Sequence, residues 1–129
     1  MKLLITGGTG FIGYHLAKKA VSKGWKVTSV SSNKPKKKRF LKKVKYIKCN
    51  LSNKKRLEKI LNANFNHVVN LAGYVDHSNK NQTYKSHYLG CVNLANALIN
   101  KKINSFIQMG SSLEYGKKKS PHNELMKCN

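Results

Sequence analysis

The amino terminus combines a short apolar run, a glycine-rich turn and the start of an amphipathic segment. The turn contains the spacing Gly8-x-Gly10-x-x-Gly13, and Gly7 begins a close variant of it. Glycines at these positions permit a sharp turn, let the backbone approach a pyrophosphate, and let a helix pack closely against a strand. Amide groups at the start of that helix can then bind the phosphates without a charged side chain. The pattern therefore predicts a dinucleotide-binding unit.

The sequence on either side of the turn supports this interpretation. Residues 3–5 form a continuous apolar run, as expected of a strand buried on both faces of a parallel sheet. After the turn, apolar residues recur at helical spacing until Gly24, with lysines on the other side. A glycine-rich turn without a ligand is the alternative, and the order strand, turn, helix favours the cofactor.

The rest of the chain alternates between strand and helix patterns. We predict further strands over 27–30, 44–48, 67–72 and 105–109, and a loop over 110–129. Helices are predicted over 51–61 and 83–100. In the longer one, a single face would carry Tyr84, Tyr88, Cys91, Ala95 and Leu98. This alternation predicts an α/β fold, a Rossmann-like doubly wound parallel sheet of five strands in the order 3-2-1-4-5, with ligands at the carboxyl ends of the strands.

The formal net charge is +22, from 26 basic and four acidic residues, which raises the question of a nucleic-acid partner. All the basic residues except Arg39 and Arg56 are lysines, they occur in every segment, and aromatic residues do not alternate with them. A biased composition explains this pattern better, and we predict no nucleic-acid function. A binder of nucleic acid would instead retain DNA in a salt-sensitive manner, in competition with the cofactor.

The three cysteines show no paired spacing, so we predict no metal site. No stretch approaches the length of a membrane span and no secretory signal is apparent, so we predict no membrane partner and a cytoplasmic location.

Four segments in order resemble the NAD-dependent epimerase/dehydratase family of extended short-chain dehydrogenases/reductases, which act on nucleotide sugars. They are TGGTGFIG at 6–13, NL at 50–51, NLAG at 70–73 and SSLEYG at 111–116. The resemblance implies that residues 1–129 are one NAD(P)-binding domain, the amino-terminal part of a longer chain whose substrate domain is missing. The uncovered sheet edge would then favour marginal stability or self-association, including a homodimer.

The resemblance also implies a set of cofactor-binding residues. The family often has an acidic residue at the end of the second strand, where this chain has Ser31, and we therefore predict NADP in preference to NAD. Asn50 replaces a usual aspartate, and its carbonyl would accept a bond from adenine. His87 stands where many members have asparagine, and it is either packed or bonded near the site. The full set is Gly7, Gly10, Phe11, Ile12, Gly13, Ser31, Ser32, Asn33, Lys34, Asn50, Leu51, Leu71, Ala72, Gly73 and His87.

For catalysis, the resemblance implies that Ser111 donates to the reacting oxygen of a nucleotide-sugar substrate. The acidic pair of the dehydratases is absent after it, which favours epimerisation or reduction. Two Tyr-x-x-x-Lys matches, at 14–18 and 115–119, lie outside the expected place of the acid/base pair. We expect this chain to bind cofactor without turnover. The alternative is a non-catalytic dinucleotide sensor or scaffold.

Overall fold

The structure, a computed structural model, describes residues 1–76 and 78–128. Its centre is a sheet of five parallel strands, in the order β3-β2-β1-β4-β5. This confirms the predicted fold class and strand order. The strands are β1 Lys2–Thr6, β2 Lys26–Ser31, β3 Val44–Lys48, β4 His67–Asn70 and β5 Ser105–Gln108.

The first strand lies at the middle of the sheet and contributes residues to the hydrophobic clusters on both of its faces. Ile5 pairs with Ser29 of β2 and Val69 of β4. Leu4 and Ile5 are both completely buried, and they point to opposite faces of the sheet. Each contributes about 2 kcal/mol by leaving water, so this short run anchors the domain.

Helices cover the two faces of the sheet. The first, α1, spans Phe11–Ser22 and packs Ala17 and Ala20 against one face. The helix α2, Lys54–Ile60, buries Leu57 against the other face. No helix in the described part of the chain combines the length and the apolar character that a bilayer crossing requires.

The predicted helix over 83–100 is not regular. It begins with α3, Lys80–Thr83, continues as a π-helical segment, Tyr84–Leu89, and ends as α4, Gly90–Leu98. The face predicted to carry Tyr84, Tyr88, Cys91, Ala95 and Leu98 is not buried throughout: Tyr84 and Tyr88 are 56% and 58% exposed and stack on each other, and Ala95 is exposed, whereas Leu98 is buried. A π turn contains an extra residue, so the face predicted with a uniform α-helical period does not continue through it.

The carboxyl-terminal segment contains little regular structure. Residues Ser112–Tyr115 form a short 3-10 helix within the predicted loop, and another 3-10 turn spans Lys37–Arg39. No strand or α-helix occurs over 116–128. β5 lies at the edge of the sheet, where Phe106 and Ile107 are 36% and 54% exposed.

Candidate functional site

A cleft of about 490 Å³ lies at the carboxyl ends of the strands. Every predicted cofactor residue lines it except Lys34 and His87. None of the described residues that line it is charged, although the chain as a whole has a net charge of +22. An anion bound here would therefore be held by backbone and neutral side-chain groups.

The glycine turn forms one wall of the cleft, and its glycines are required by close contacts. Gly7 has a φ of +73°, and a Cβ added to it would lie 2.6 Å from the carbonyl oxygen of Leu71. A Cβ on Gly13 would lie 2.5 Å from the carbonyl oxygen of Gly7 and from the Cα of Gly8. The first contact lets the turn lie against the end of β4, and the second lets α1 start directly beside β1.

The amino terminus of α1 opens towards this cleft without a cap. Its N-cap residue is Gly10, no side chain within 1–76 or 78–128 accepts a bond from the first amides, and the first turn has no acidic residue. In contrast, α2 and α3 are capped by the side chains of Asn53 and Asn79, at 3.1 and 3.0 Å. Unsatisfied amides and the positive end of the helix dipole make such a terminus suited to a phosphate group.

At the end of β2, Ser31, Ser32 and Asn33 line the cleft. Ser31 is 8% exposed, and its hydroxyl accepts a bond from the amide of Thr9 at 3.4 Å. Lys34 lies instead in an adjoining pocket of about 260 Å³, which shares Thr9 and Asn33 with the cleft. Lys34 was predicted to bind the cofactor, and the structure places it beside the cleft rather than in it.

Asn50 lines the cleft, but its carbonyl oxygen is already engaged. The Oδ1 atom accepts bonds from the amide and the hydroxyl of Ser52, both at 3.0 Å. These two bonds fill its lone pairs, so an adenine amino group would have to displace one of them. The side-chain amide nitrogen of Asn50, Nδ2, is the group better suited to face a ligand.

A polar network supports the floor of the cleft below the ends of β1, β4 and β5. Asn70 is 1% exposed and its Oδ1 accepts bonds from the hydroxyl of Thr6 and from the amide of Ala72. Its amide donates to Gln108 Oε1 at 2.7 Å, and the thiol of Cys91 donates to the same oxygen at 3.2 Å. Because buried polar groups are costly to leave unpaired, this network fixes how the three strands end.

His87 does not line the cleft. It lies against the loop after β4, and its Nε2 is 3.0 Å from both the amide nitrogen and the carbonyl oxygen of Tyr74. Of the two roles that the sequence left open, the structure favours a bond to the backbone near the site.

The sequence comparison with protein families gives one match that spans nearly the whole chain. Residues 3–128 match the model of the NAD dependent epimerase/dehydratase family. The chain belongs to this family. No curated protein sequence matches it significantly.

Solved structures show the same fold. With UDP-glucose 4-epimerase from Thermotoga maritima, the TM-score is 0.89 at 22% identity, over 100% of this chain and 45% of that one. With UDP-glucose 4-epimerase from Thermus thermophilus in complex with NAD, it is 0.67 at 27% identity, over 75% and 33%. The Bordetella bronchiseptica enzyme WbmG, in complex with NAD and UDP, gives 0.80 at 22% identity, over 88% and 38%. The chain thus spans less than half the length of these proteins.

The structure places Ser111, the predicted catalytic residue of this epimerase/dehydratase chain, in a turn after β5. Its hydroxyl accepts a bond from the amide of Leu113 at 3.2 Å, and Glu114 accepts one from the amide of Ser111 at 2.8 Å. This capping box starts the short 3-10 helix. Ser111 is not among the residues that line the cleft.

Several residues that line the cleft were not predicted. Thr9 belongs to the glycine turn itself, and Met109 follows β5 directly, so their positions in the motif and at a strand end were available as signals. Ser86 enters the cleft from the π-helical segment, which no simple periodicity reveals. Cys49 also lines the cleft. Burial raises the pKa of its thiol, although the positive charge of Arg56 partly opposes this.

Proposed function

We propose that this chain is the dinucleotide-binding part of a nucleotide-sugar epimerase or reductase and that it prefers NADP to NAD. The observation that carries the proposal is the uncapped start of α1, which opens into an uncharged cleft beside the glycine turn. The family membership supports it. When bound, the nicotinamide would supply hydride transfer at a sugar carbon.

The residues of the cleft fit such a cofactor. The amides of Phe11 and Ile12 at the start of α1 would hold the diphosphate, because the glycine turn leaves room for it and no side chain competes for the helix terminus. Leu71 and Ala72, at the end of β4, would lie beside the second ribose. Ser31 would meet the ribose of the adenosine half, at the strand end where dinucleotide-binding folds recognise it.

The preference for NADP rests on the end of β2 and on the adjoining pocket. No described residue at the end of β2 that lines the cleft is acidic, so nothing there repels a 2′-phosphate. Lys34 and Lys48 line the pocket, and neither has an ion-pair partner among the described residues. Ser29, in the same pocket, is 1% exposed, and its hydroxyl has no hydrogen-bond partner in the part of the chain that the structure describes. Two cations and one unpaired hydroxyl group suit a phosphate group.

Titration calorimetry with NADPH and NADH tests the proposal. We expect saturable binding of both, with NADPH the tighter. Ser31→Asp should weaken NADPH binding about tenfold or more and reverse the preference, because the carboxylate repels the 2′-phosphate and accepts bonds from a free 2′-hydroxyl. Ser22→Asp, at the exposed end of α1, adds the same charge away from the cleft and should leave the ratio unchanged. Absence of saturable binding by either nucleotide would refute the proposal.

We further propose that this chain binds the cofactor without turnover, and that a nucleotide sugar is the substrate of the longer enzyme, with Ser111 polarising its oxygen. Neither tyrosine of the two Tyr-x-x-x-Lys matches lines the cleft: Tyr14 lies in α1 and Tyr115 packs on His122. With UDP-glucose and either oxidised cofactor, we expect no change in absorbance at the wavelength of the reduced nicotinamide and, because epimerisation would leave the cofactor oxidised, no epimerised nucleotide sugar either. The homodimer and the cytoplasmic location stay predictions.

A further inference from the structure

The loop after β4 forms the end of the cleft opposite the residues that follow β2. Leu71, Ala72, Gly73 and Val75 all line the cleft there. If the adenosine lies over β2, as it does in dinucleotide-binding folds, the nicotinamide half extends from the glycine turn towards this loop. The position of the loop therefore determines how that half of the cofactor fits.

His87 holds this loop through its backbone. With the proton on Nε2, the ring donates to the carbonyl oxygen of Tyr74; with the proton on Nδ1, Nε2 accepts from the amide of Tyr74. Both distances are 3.0 Å, so either tautomer makes a bond. The loop is thereby attached to the helix that passes over it.

The ring of His87 also occupies the space beside Gly73. A Cβ added to Gly73 would lie 2.8 Å from the Cε1 atom of His87. Gly73 has no positive φ, so the contact with the ring, rather than the backbone conformation, is what excludes a side chain here. The two residues form a fitted pair.

The histidine of this pair lies where the helix changes from α-helical to π-helical winding. His87 and its neighbour Ser86 both belong to the π-helical segment Tyr84–Leu89, and Ser86 lines the cleft while His87 bonds to the loop. Single π turns inside helices occur frequently at functional sites. The segment thus presents one residue to the cleft and the next to the loop that borders it.

We infer that His87 is a positioning residue that fixes the loop after β4 for the nicotinamide half of the cofactor. The inference rests on the proposed function. It assigns to His87 an effect on one half of the dinucleotide only, because the residue acts through Gly73 and Tyr74 and not on the glycine turn that binds the diphosphate.

Affinities for NADPH and for ADP, which has the adenosine and the diphosphate but no nicotinamide, test this assignment. His87→Ala should weaken NADPH binding about fivefold to tenfold, the value of one lost hydrogen bond, and change ADP binding less than twofold. His87→Gln, whose amide can reach the same backbone groups, should recover most of the loss. The fluorescence emission of bound NADPH should shift in the alanine variant and not in the glutamine variant. His122→Ala removes a similar bond, to the carbonyl oxygen of Lys118 outside the cleft, and should change neither affinity.

A second pair of variants tests the fit between ring and glycine. Gly73→Ala alone should weaken NADPH binding, and the double variant with His87→Ala should bind no worse than His87→Ala alone, because the ring that causes the clash is gone. Additive losses, or equal losses of NADPH and ADP in His87→Ala, would overturn the positioning role while leaving the proposed function intact. Failure of the unaltered chain to bind either ligand would overturn both. Thermal unfolding of each variant separates loss of binding from loss of fold.

Discussion

The two ends of the sheet differ sharply in charge. At the carboxyl ends of the strands, no described residue that lines the cleft is charged. At the amino ends, two adjoining depressions of about 520 and 430 Å³ share Lys2, Asn64 and Phe65. Their lysines are Lys2, Lys26, Lys43, Lys45, Lys101 and Lys102.

This difference shows where the composition of the chain has been constrained. Lysines occur throughout the sequence, and the amino end tolerates them because they remain in water. The cleft, in contrast, binds through main-chain amides whose approach a side chain would block. The absence of lysine among the described residues that line the cleft is therefore more informative about function than the net charge of +22.

The largest expected effect is the difference in stability between two single variants, each of which adds one methyl group to a glycine, one at each end of the sheet. In Gly13→Ala the new Cβ meets the backbone of Gly7 and Gly8, which cannot move aside, and the free energy of unfolding should fall by about 3 kcal/mol or more. In Gly24→Ala, at the amino end, no atom of a described residue lies within 4 Å of the new Cβ and only the positive φ is unfavourable, which costs about 1 kcal/mol. Urea unfolding measures both. Equal losses would show that close approach is not what selects glycine in the turn.

A carboxylate at the start of α1 should separate stability from binding. Gly10→Asp supplies the missing cap and a favourable charge at the helix terminus, which stabilises the fold by up to about 1 kcal/mol, less the cost of a Cβ 3.2 Å from the carbonyl oxygen of Gly7. The same charge repels the diphosphate, so NADPH affinity should fall about a hundredfold. Gly10→Asn caps without the charge and should lose much less. If the aspartate variant binds NADPH normally, the diphosphate does not lie at this helix.

The parts of the molecule that the sequence predicts are those governed by local rules. The alternation of strands and helices predicts the strand order, and the glycine turn together with the short segments at the strand ends predicts most of the cleft. The π turn could not be predicted from a fixed helical period. For the same reason, the sequence predicted neither the position of Ser86 in the cleft nor the exposure of Tyr84. The sequence also could not predict that Asn50 Oδ1 accepts bonds from Ser52. Whether such a side chain bonds within a local turn or to a ligand depends on the geometry of the folded chain.

Removing lysines from the amino end should scarcely affect cofactor binding. The triple variant Lys26→Gln, Lys43→Gln and Lys45→Gln should change NADPH affinity less than twofold, as should a control with the same charge change at the loop lysines Lys36, Lys37 and Lys38. Both variants should reduce the salt dependence of non-specific DNA binding equally, by about 0.7 to 0.9 per lysine removed. A much larger loss of DNA binding in the amino-end variant alone would identify that surface as a nucleic-acid site and refute our interpretation of the charge.

The smallest effect concerns the thiol of Cys49, which is 3% exposed at the edge of the cleft. Burial raises the pKa of this thiol above its usual 9.0, so above pH 9 the unfolded chain loses this proton before the folded one does. The contribution of Cys49 to stability should therefore be intact below pH 9 and decline as the pH rises through the raised value. In urea unfolding between pH 8 and pH 10, Cys49→Ala should decline less steeply than the unaltered chain, and Cys128→Ala, which changes an exposed thiol, should follow the unaltered chain. Parallel curves for all three proteins would mean that water reaches the thiol of Cys49, and therefore also this wall of the cleft.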